Sequence, residues 1–388
     1  MKIAMLMIVF LPLCLAVGAM SITGASDDDS ASPSLEDSPR NLPVEMPAIR
    51  CSLVPEKDGG AIQSLVFSLD GKTLLAGNDH GVVQWFDPAT GRKKISCRVS
   101  PHNLGGCGGL AISANGPSIA TQTEQNEVSL LDAVTGRHRL MLEEIPPKKQ
   151  VFLRGIAFSP NGDLVAGGYT SGEVVIWDAA TGRRRHILPP HFLPDHFSAR
   201  FQRVLPGEPA HISNLAFTPD GKSLVSLGGV VRIWDAASGT ERARFDPNQK
   251  SDWWRLALSP DGNTLALIQN TGDPLTSYKG EIVLWDRSTK RRVAQWPIGG
   301  SGQDLAFLPD GKTLVSLEEV PIVRLWDVAT GKQRDAVRFD RHTHLSTLAV
   351  SPDGKRIALG GYESNHIFGV INLLETDGAT LQPWKPEP

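Results

Sequence analysis

Residues 155–182 read GIAFSPNGDLVAGGYTSGEVVIWDAATG, and this stretch decides the fold. It opens with alternating apolar residues that stop at Pro160-Asn161-Gly162, where proline presets φ and glycine accepts a positive φ, as a tight turn requires. Two more short apolar runs follow, and the second ends in Trp177-Asp178 before a further turn at Gly182. With Arg184–Leu188 after that turn, the stretch predicts four short antiparallel strands.

The same pattern recurs along the chain, at intervals of 41 to 59 residues. Its first turn, which is Pro-Asp-Gly in four copies, ends at seven glycines: Gly71, Gly116, Gly162, Gly221, Gly262, Gly311 and Gly354. Six third strands end in a bulky residue followed by Asp: Phe86-Asp87, Leu131-Asp132, Trp177-Asp178, Trp234-Asp235, Trp285-Asp286 and Trp326-Asp327. The seventh copy is degenerate and has Leu373-Leu374 in that place. Because one such sheet buries neither face alone, consecutive copies must stack on each other.

A period of 40 to 50 residues with Trp-Asp at the end of the third strand resembles the WD-repeat β-propeller family, and in particular its divergent bacterial, secreted members. The resemblance covers residues 51–388. It implies an all-β fold, a seven-bladed β-propeller of four-stranded antiparallel blades over residues 49–388. The length of 388 residues would otherwise suggest two or three domains. Many WD repeats also carry Gly-His before the first strand, where the His supports the Trp, and this sequence lacks a regular Gly-His.

The residues before the repeats have a different composition. Lys2 is followed by an apolar run from Ile3 to Val17 and then by small residues, which predicts a secretory signal peptide over residues 1–25. An uncleaved membrane anchor is the alternative. Residues 26–48 are rich in Ser, Pro and acidic residues and predict a disordered spacer. We therefore expect the protein to be secreted, periplasmic or exposed at the cell envelope.

The distribution of charge argues against one class of partner. Six of the 42 acidic residues and three of the 39 basic residues precede residue 51, so the repeat region is formally neutral. A nucleic-acid partner would require a basic face. We expect a protein partner, no nucleic acid, and no membrane span unless the signal segment stays uncleaved.

The ring of blades must close between the last and the first copy. Residues 49–53 are similar to an outermost strand, and in WD-repeat propellers an N-terminal strand commonly completes the last blade. Residues 380–384 compete for the same position, but Pro383 has no N–H for a ladder hydrogen bond. We therefore expect closure by residues 49–54, with Trp384 packed outside that strand.

Two insertions point to one face of the propeller. In this fold the Pro-Asp-Gly and Thr-Gly turns lie on one face, and the loops between the second and third strands and between blades lie on the other. Blade 5 has about eight extra residues within Gln269–Gly280, and the connection between blades 3 and 4 is extended within His186–Pro209. Both belong to the second face, the long-loop face, where we expect the partner because long loops on a rigid scaffold usually carry binding residues.

The candidate partner-binding residues are aromatic and imidazole side chains near these insertions: Trp253, Trp254, His191, Phe192, His196, Phe197, Tyr278, His342 and His344. Adjacent side chains in a strand point to opposite sides, so we expect one of Trp253 and Trp254 in the core and the other as a binding hot spot. His186, His191 and His196 are spaced by five and could instead bind zinc or copper. Nothing else in the sequence supports that metal site, so we expect no metal and no cofactor.

Two cysteines near the first outer strand form a possible disulfide. Cys97 ends that strand and Cys107 opens the next blade, so a bond across the intervening loop is geometrically feasible. Cys51 would then stay free or pair between chains.

The sequence contains no Gly-x-Ser-x-Gly elbow, no phosphate-binding loop and no CxxC pair, which are motifs of catalysis. Quinoprotein dehydrogenases also repeat Asp-x-x-Thr-Gly, but they carry a Trp a few residues later. In this chain Arg or Lys, not Trp, follows Gly91, Gly136, Gly182 and Gly331. The sequence therefore predicts a non-catalytic protein-protein interaction scaffold. The alternative is a propeller enzyme, a lactonase- or quinoprotein-like hydrolase or oxidoreductase with its site in the central channel.

Overall fold

The computed structural model describes the following residues: 60–99, 109–114, 118–123, 127–144, 151–192, 209–245, 252–273, 277–364 and 368–385. They form 28 strands in seven four-stranded sheets, and each sheet is built from four consecutive strands paired antiparallel. The predicted all-β, seven-bladed propeller is confirmed. The predicted signal peptide (1–25) and spacer (26–48) lie outside the described residues, as does Cys51, so the domain limits stay predictions.

The strands of blades 1 to 3 are β1 Ile62–Phe67, β2 Leu74–Asn78, β3 Val82–Phe86, β4 Lys93–Arg98, β5 Leu110–Ile112, β6 Ser118–Gln122, β7 Val128–Asp132, β8 His138–Met141, β9 Leu153–Phe158, β10 Leu164–Tyr169, β11 Val174–Asp178 and β12 Arg184–Leu188. Those of blades 4 and 5 are β13 Asn214–Phe217, β14 Ser223–Gly228, β15 Val230–Asp235, β16 Glu241–Phe245, β17 Asp252–Leu258, β18 Thr264–Asp273, β19 Ser277–Asp286 and β20 Arg291–Pro297. Those of blades 6 and 7 are β21 Gly302–Phe307, β22 Thr313–Glu318, β23 Ile322–Asp327, β24 Gln333–Arg338, β25 Thr343–Val350, β26 Arg356–Glu363, β27 Phe368–Thr376 and β28 Leu381–Pro383. The first strand of every blade contacts the first strands of its two neighbours, and these seven inner strands line the central channel.

The Pro-Asp-Gly turns link neighbouring blades as well as neighbouring strands. In blade 5 the hydroxyl of Ser259 accepts from the backbone N–H of Thr264 at 2.9 Å, and Gly262 has a φ of 72°. A β-carbon on Gly262 would lie 2.7 Å from Cδ of Pro219, the proline of the preceding turn. The turns of blades 7 and 1 are also neighbours, because a β-carbon on Gly71 would lie 3.8 Å from Cδ of Pro352. The ring of turns is therefore closed.

The Trp-Asp landmark closes the third strand and supports the next turn. The Asp178 carboxylate accepts from the backbone N–H and from the hydroxyl of Thr181, both at 2.9 Å. The guanidinium of Arg185, in the fourth strand, pairs with the same carboxylate. This hydrogen bond and those of Thr181 lower the pKa of Asp178 to about 2. The landmark therefore ties the third strand to the fourth.

Seven apolar clusters fill the gaps between neighbouring blades. The landmark Trp177 fills the gap between blades 2 and 3. In three gaps the landmark is smaller, namely Phe86, Leu131 and Leu374. In the first two a Trp from the preceding blade supplies the volume, and in the third Phe339 of blade 6 lies in the cluster. Trp85 of blade 1 packs with Leu131, and Trp384 of blade 7 packs with Phe86. Packing density, rather than the identity of one position, therefore decides which aromatic residue enters each gap.

Closure of the last blade differs from the expectation. The outer strand of blade 7 is β28, paired with β27 from Thr376↔Leu381 to Leu374↔Pro383, so the prediction that residues 49–54 form this strand is wrong. Pro383 is tolerated because it ends an edge strand, where no ladder hydrogen bond depends on its missing N–H. Trp384 is not outside the sheet but buried in the apolar cluster that fills the gap between blades 7 and 1. Residues 49–54 lie outside the described part of the chain.

Candidate partner-binding face and central channel

The insertion in blade 5 extends a hairpin and does not form a long loop. β18 and β19 pair without interruption from Thr264↔Asp286 to Asp273↔Ser277. β18 has ten residues, against six in the equivalent strand β14, so the hairpin projects about 13 Å further at roughly 3.4 Å per residue. The predicted loop within Gln269–Gly280 is corrected accordingly. The prediction that this segment lies on the long-loop face is consistent with its place between the second and third strands.

The structure gives the backbone positions of the aromatic candidates of blade 5, Trp253, Trp254 and Tyr278. Trp253 pairs with Gln269, and a bulge between Trp253 and Arg255 contains Trp254. A bulge interrupts the alternation of side chains that the prediction for this pair assumed. Tyr278 pairs with Gly272 near the tip of the hairpin. The side chains of residues 252–254, 271–273 and 277–278 are not among those described, so their role in binding stays a prediction.

His191 is completely buried, which argues against a contact with a partner and corrects that part of the prediction. Its Nδ1 lies 3.0 Å from the backbone oxygen of Gly228, so Nδ1 carries the proton and donates to that oxygen. Nε2 then accepts from the hydroxyl of Ser226 at 2.8 Å, and this hydroxyl accepts the indole N–H of Trp234 at 2.8 Å. Burial first, and then the charge of Arg232, lower the pKa of His191 to about 3. The neutral imidazole thus supports the landmark Trp of blade 4.

Phe192, the residue after His191, is half exposed, and its backbone forms a bridge with Pro209. His196 and Phe197 lie outside the described residues. His342 is exposed, with its backbone N–H donating to Asp340 at 2.7 Å. The ring of His344 stacks on that of Tyr362 at 4.8 Å between centroids, with 14° between the planes. The structure therefore places Phe192 apart from the pair His342 and His344, which belongs to blade 7.

Phe152 is a further aromatic residue on the long-loop face that is not among the residues predicted from the sequence. It is 45% exposed and precedes the inner strand β9, in the place that His344 occupies in blade 7. Its carbonyl accepts from the backbone N–H of Thr170 at 2.9 Å, and its own N–H donates to the Thr170 hydroxyl at 2.9 Å. Phe152 can be identified by aligning the blades on their first strands, because it then falls at the same position as His344, which is one of the predicted partner-binding residues.

The wall of the central channel contains hydrogen bonds that cross from one inner strand to the next. The Ser64 hydroxyl of blade 1 accepts from the backbone N–H of Leu110 in blade 2 at 3.1 Å. Asp304 of blade 6 accepts from the N–H of Leu348 in blade 7 at 2.9 Å and lies 3.5 Å from Nε of Arg255 in blade 5. Burial raises the pKa of Asp304, and the nearby Arg255 opposes this effect. These bonds fix the inner strands against one another.

The predicted disulfide is not tested, because Cys107 lies outside the described residues. Sγ of Cys97 lies 3.3 Å from the backbone oxygen of Gly136, in the neighbouring blade. Burial raises the pKa of this thiol. The disulfide between Cys97 and Cys107 stays a prediction.

Across the described residues, no three or more His, Cys, Asp or Glu side chains come together in a way that could hold a metal ion. His186, one of the three His considered as metal ligands, has its Nε2 2.8 Å from the backbone oxygen of Ala237 instead. The same part of the chain contains no helix of the length and apolarity that a membrane span requires.

Comparison with known proteins identifies the repeats. Residues 147–178 and 199–235, in blades 3 and 4, match the family model described as WD domain, G-beta repeat. The chain is 28% identical over 161 residues to Protein groucho of Drosophila melanogaster, which is 40% of this chain and 20% of that protein. It is 30% identical over 173 residues to Periodic tryptophan protein 2 of Arabidopsis thaliana, which is 42% of this chain and 17% of that protein. It is 27% identical over 162 residues to Transducin-like enhancer protein 2 of Mus musculus, which is 40% of this chain and 20% of that protein.

The chain thus spans about a fifth of the length of these relatives. The similarity to WD repeats is confirmed at the level of the repeats. The expected bacterial and secreted character stays a prediction.

Proposed function

We propose that the chain is a protein-interaction scaffold that acts outside the cytoplasm and binds a partner protein through its long-loop face. WD-repeat propellers generally serve as interaction scaffolds, and a rigid ring of blades displays loops from all repeats on one face. The proposed location depends on the apolar run from Ile3 to Val17, which has the pattern of a signal peptide.

The observation that carries the proposal is a pair of exposed phenylalanines in two segments that hydrogen-bond to the same turn of blade 3. Phe152 is 45% exposed and Phe192 is 50% exposed. The turn between β10 and β11 joins them, because the Thr170 N–H donates to the Phe152 carbonyl at 2.9 Å and the His191 N–H donates to the Gly172 carbonyl at 2.8 Å. Aromatic side chains that are held in place lose little conformational entropy on binding and are enriched at interfaces.

The support beneath these side chains is rigid. Gly172 has a φ of 78°, and the place of a β-carbon there is 2.6 Å from the backbone oxygen of His191, so the turn packs closely against the connection between blades 3 and 4. The buried imidazole of His191 is bonded to Ser226 in blade 4. Phe192 therefore projects from a fixed base, as an anchor residue of an interface does.

The experiment compares two faces of the same molecule. The double variant Phe152→Ser/Phe192→Ser alters the long-loop face, and the matched control Leu69→Ser/Val134→Ser removes two exposed apolar side chains from turns on the opposite face. Each tagged protein is used to capture partners from extracellular and envelope fractions, after its circular dichroism spectrum has been compared with that of the unaltered chain. We expect the first variant to lose the captured partner and the control to retain it. Equal capture by both would refute the assignment of the face.

We propose a binding role rather than a catalytic one. In the channel, Asp304 accepts two backbone N–H groups and lies beside Arg255, an arrangement that suits the joining of blades better than proton transfer. Metal analysis of the purified protein tests the alternative of a channel enzyme, because a stoichiometric metal ion would favour it. N-terminal sequencing of the secreted protein tests the location, and we expect the mature chain to begin near residue 26.

A further inference from the structure

At one position of the inner strand, blades 2 and 3 lack the side chain with which blades 1 and 6 cover a backbone N–H group of the next blade. Alternate residues of an inner strand point their N–H and C=O groups away from the second strand, towards the channel. For Leu110 and Leu348 these N–H groups donate to Ser64 and Asp304 of the preceding blade. Both acceptors occupy the same position, one residue before the equivalent leucine of their own blade.

In two consecutive blades this position is a glycine. Gly109 of blade 2 precedes Ile156 of blade 3 in the ring, and Gly155 of blade 3 precedes Leu215 of blade 4. Ile156 and Leu215 pair with Gly167 and Ser226 as Leu110 pairs with Thr121, so they occupy equivalent places. A glycine has no side chain with which to accept a hydrogen bond. These two N–H groups therefore face the channel without the cover that blades 1 and 6 provide for blades 2 and 7.

The same part of the channel carries positive charge. Arg154, next to Gly155 at the start of the inner strand β9, is exposed to solvent. Burial and the positive charge of Arg255 both lower the pKa of Arg154, so the two guanidinium groups are close enough to repel each other. Among the described residues no carboxylate forms a salt bridge with Arg154, whereas Arg255 lies beside Asp304.

We propose that this part of the channel mouth, formed by Arg154, Arg255 and the N–H groups of Ile156 and Leu215, binds a small oxyanion. An anionic oxygen group would accept from the two N–H groups and from the Arg154 guanidinium, and charge-assisted hydrogen bonds of this kind are the strong ones. It would also neutralise the repulsion between the two arginines. The oxyanion is either a free tetrahedral anion such as phosphate or a carboxylate presented by a binding partner.

The test is titration calorimetry of the purified protein with sodium phosphate and, separately, with sodium acetate, each against sodium chloride of equal ionic strength. Acetate represents a carboxylate side chain. Binding of phosphate alone identifies a tetrahedral anion, and binding of acetate identifies a carboxylate. If neither anion produces more heat than chloride, the proposal is wrong. This result would not affect the proposed partner-binding face, whose test uses Phe152 and Phe192.

Two variants and one control locate the site. Arg154→Gln removes the charge and is expected to weaken binding at least tenfold, as loss of a charge-assisted hydrogen bond does. Gly155→Ser adds a hydroxyl that can cover the N–H of Leu215 as Ser64 covers Leu110. The β-carbon meets its nearest atom at 3.7 Å, so the fold accommodates it, and we expect binding about fivefold weaker. The control is Arg137→Gln, which removes an exposed arginine from a turn on the opposite face.

We expect Arg137→Gln to bind the anion as the unaltered protein does. If Arg154→Gln binds equally well, or if Arg137→Gln loses as much affinity, the anion does not bind at this site and the proposal is overturned. Gly155→Ser decides the role of the backbone: unchanged affinity in this variant would exclude the N–H of Leu215 from the site.

Discussion

The indole N–H of Trp234 donates a 2.8 Å hydrogen bond to the hydroxyl of Ser226, and this contact closes a chain of polar groups inside an apolar gap. The Ser226 hydroxyl donates in turn to Nε2 of His191. Trp326 and Ser316 repeat the first contact in blade 6, also at 2.8 Å. A buried N–H group without an acceptor is costly, so the serine is as much a part of the landmark as the tryptophan.

Replacement of Ser226 by Ala should destabilise the protein by about 1–3 kcal/mol, because it leaves the buried indole N–H without an acceptor. Urea unfolding followed by fluorescence measures this loss. The matched control is Thr121→Val at the equivalent position of blade 2, where the landmark is Leu131. The Thr121 hydroxyl is buried and has no hydrogen-bond partner among the described residues, so its removal should be neutral or stabilising. Equal losses in both variants would show that the indole contact contributes nothing.

The free energy of unfolding should decrease as the pH falls, because His191 resists protonation in the folded state. The native state holds the pKa of this residue at about 3, against about 6.5 in the unfolded chain, so below pH 6.5 the unfolded state binds a proton that the folded state refuses. The free energy of unfolding should therefore decrease by up to about 1.4 kcal/mol per pH unit between pH 6.5 and pH 3. The paired Asp178 contributes in the same direction only between about pH 4 and pH 2, because its pKa is 3.8 in the unfolded chain and about 2 in the native state.

Urea titrations of the unaltered chain and of His191→Gln, made at several values between pH 4 and pH 8, separate the effect of this residue from that of other groups. The variant should be less stable at pH 7 but should depend less on pH in this window. If both proteins lose stability with the same slope, His191 is not the group responsible.

The contact between Gly262 and Pro219 predicts the effect of a single methyl group. In Gly262→Ala the new β-carbon would lie 2.7 Å from Cδ of Pro219, at a residue whose φ is 72°, so both the clash and the backbone strain oppose folding. We expect a loss of about 1–3 kcal/mol, seen as a lower Tm in calorimetry. Gly300→Ala is the control, because no atom lies within 4 Å of its β-carbon position. A Tm for Gly262→Ala at or above that of the control would contradict the close packing of the turns.

The repeats made the fold predictable, because a turn glycine recurs in every blade and a bulky residue followed by Asp ends the third strand in six of the seven. The candidate site was less predictable. His191 lies in a connection between blades, where a spacing of five residues between His side chains says nothing about which imidazole reaches Ser226. The extra residues of blade 5 continue a strand register, and composition alone does not distinguish a longer hairpin from a loop. Closure of the ring by β28 could not be predicted, because it depends on the burial of Trp384 between blades 7 and 1. This burial favours β28 although Pro383 is unfavourable in a strand.

The closure of the ring predicts a large effect of Trp384. The Trp384 side chain is buried in the apolar cluster between blades 7 and 1, and the backbone N–H of this residue donates to the Leu373 carbonyl at 3.3 Å. Trp384→Ala should therefore cost about 3–5 kcal/mol, as a buried Trp does when it leaves a cavity, and should also loosen the first blade. Lys385→Ala, at the exposed neighbouring residue, should leave stability unchanged. Hydrogen exchange followed by mass spectrometry should then show faster exchange in β1 and β28 of the Trp384 variant. Faster exchange confined to β28 would mean that Trp384 does not hold the two ends of the ring together.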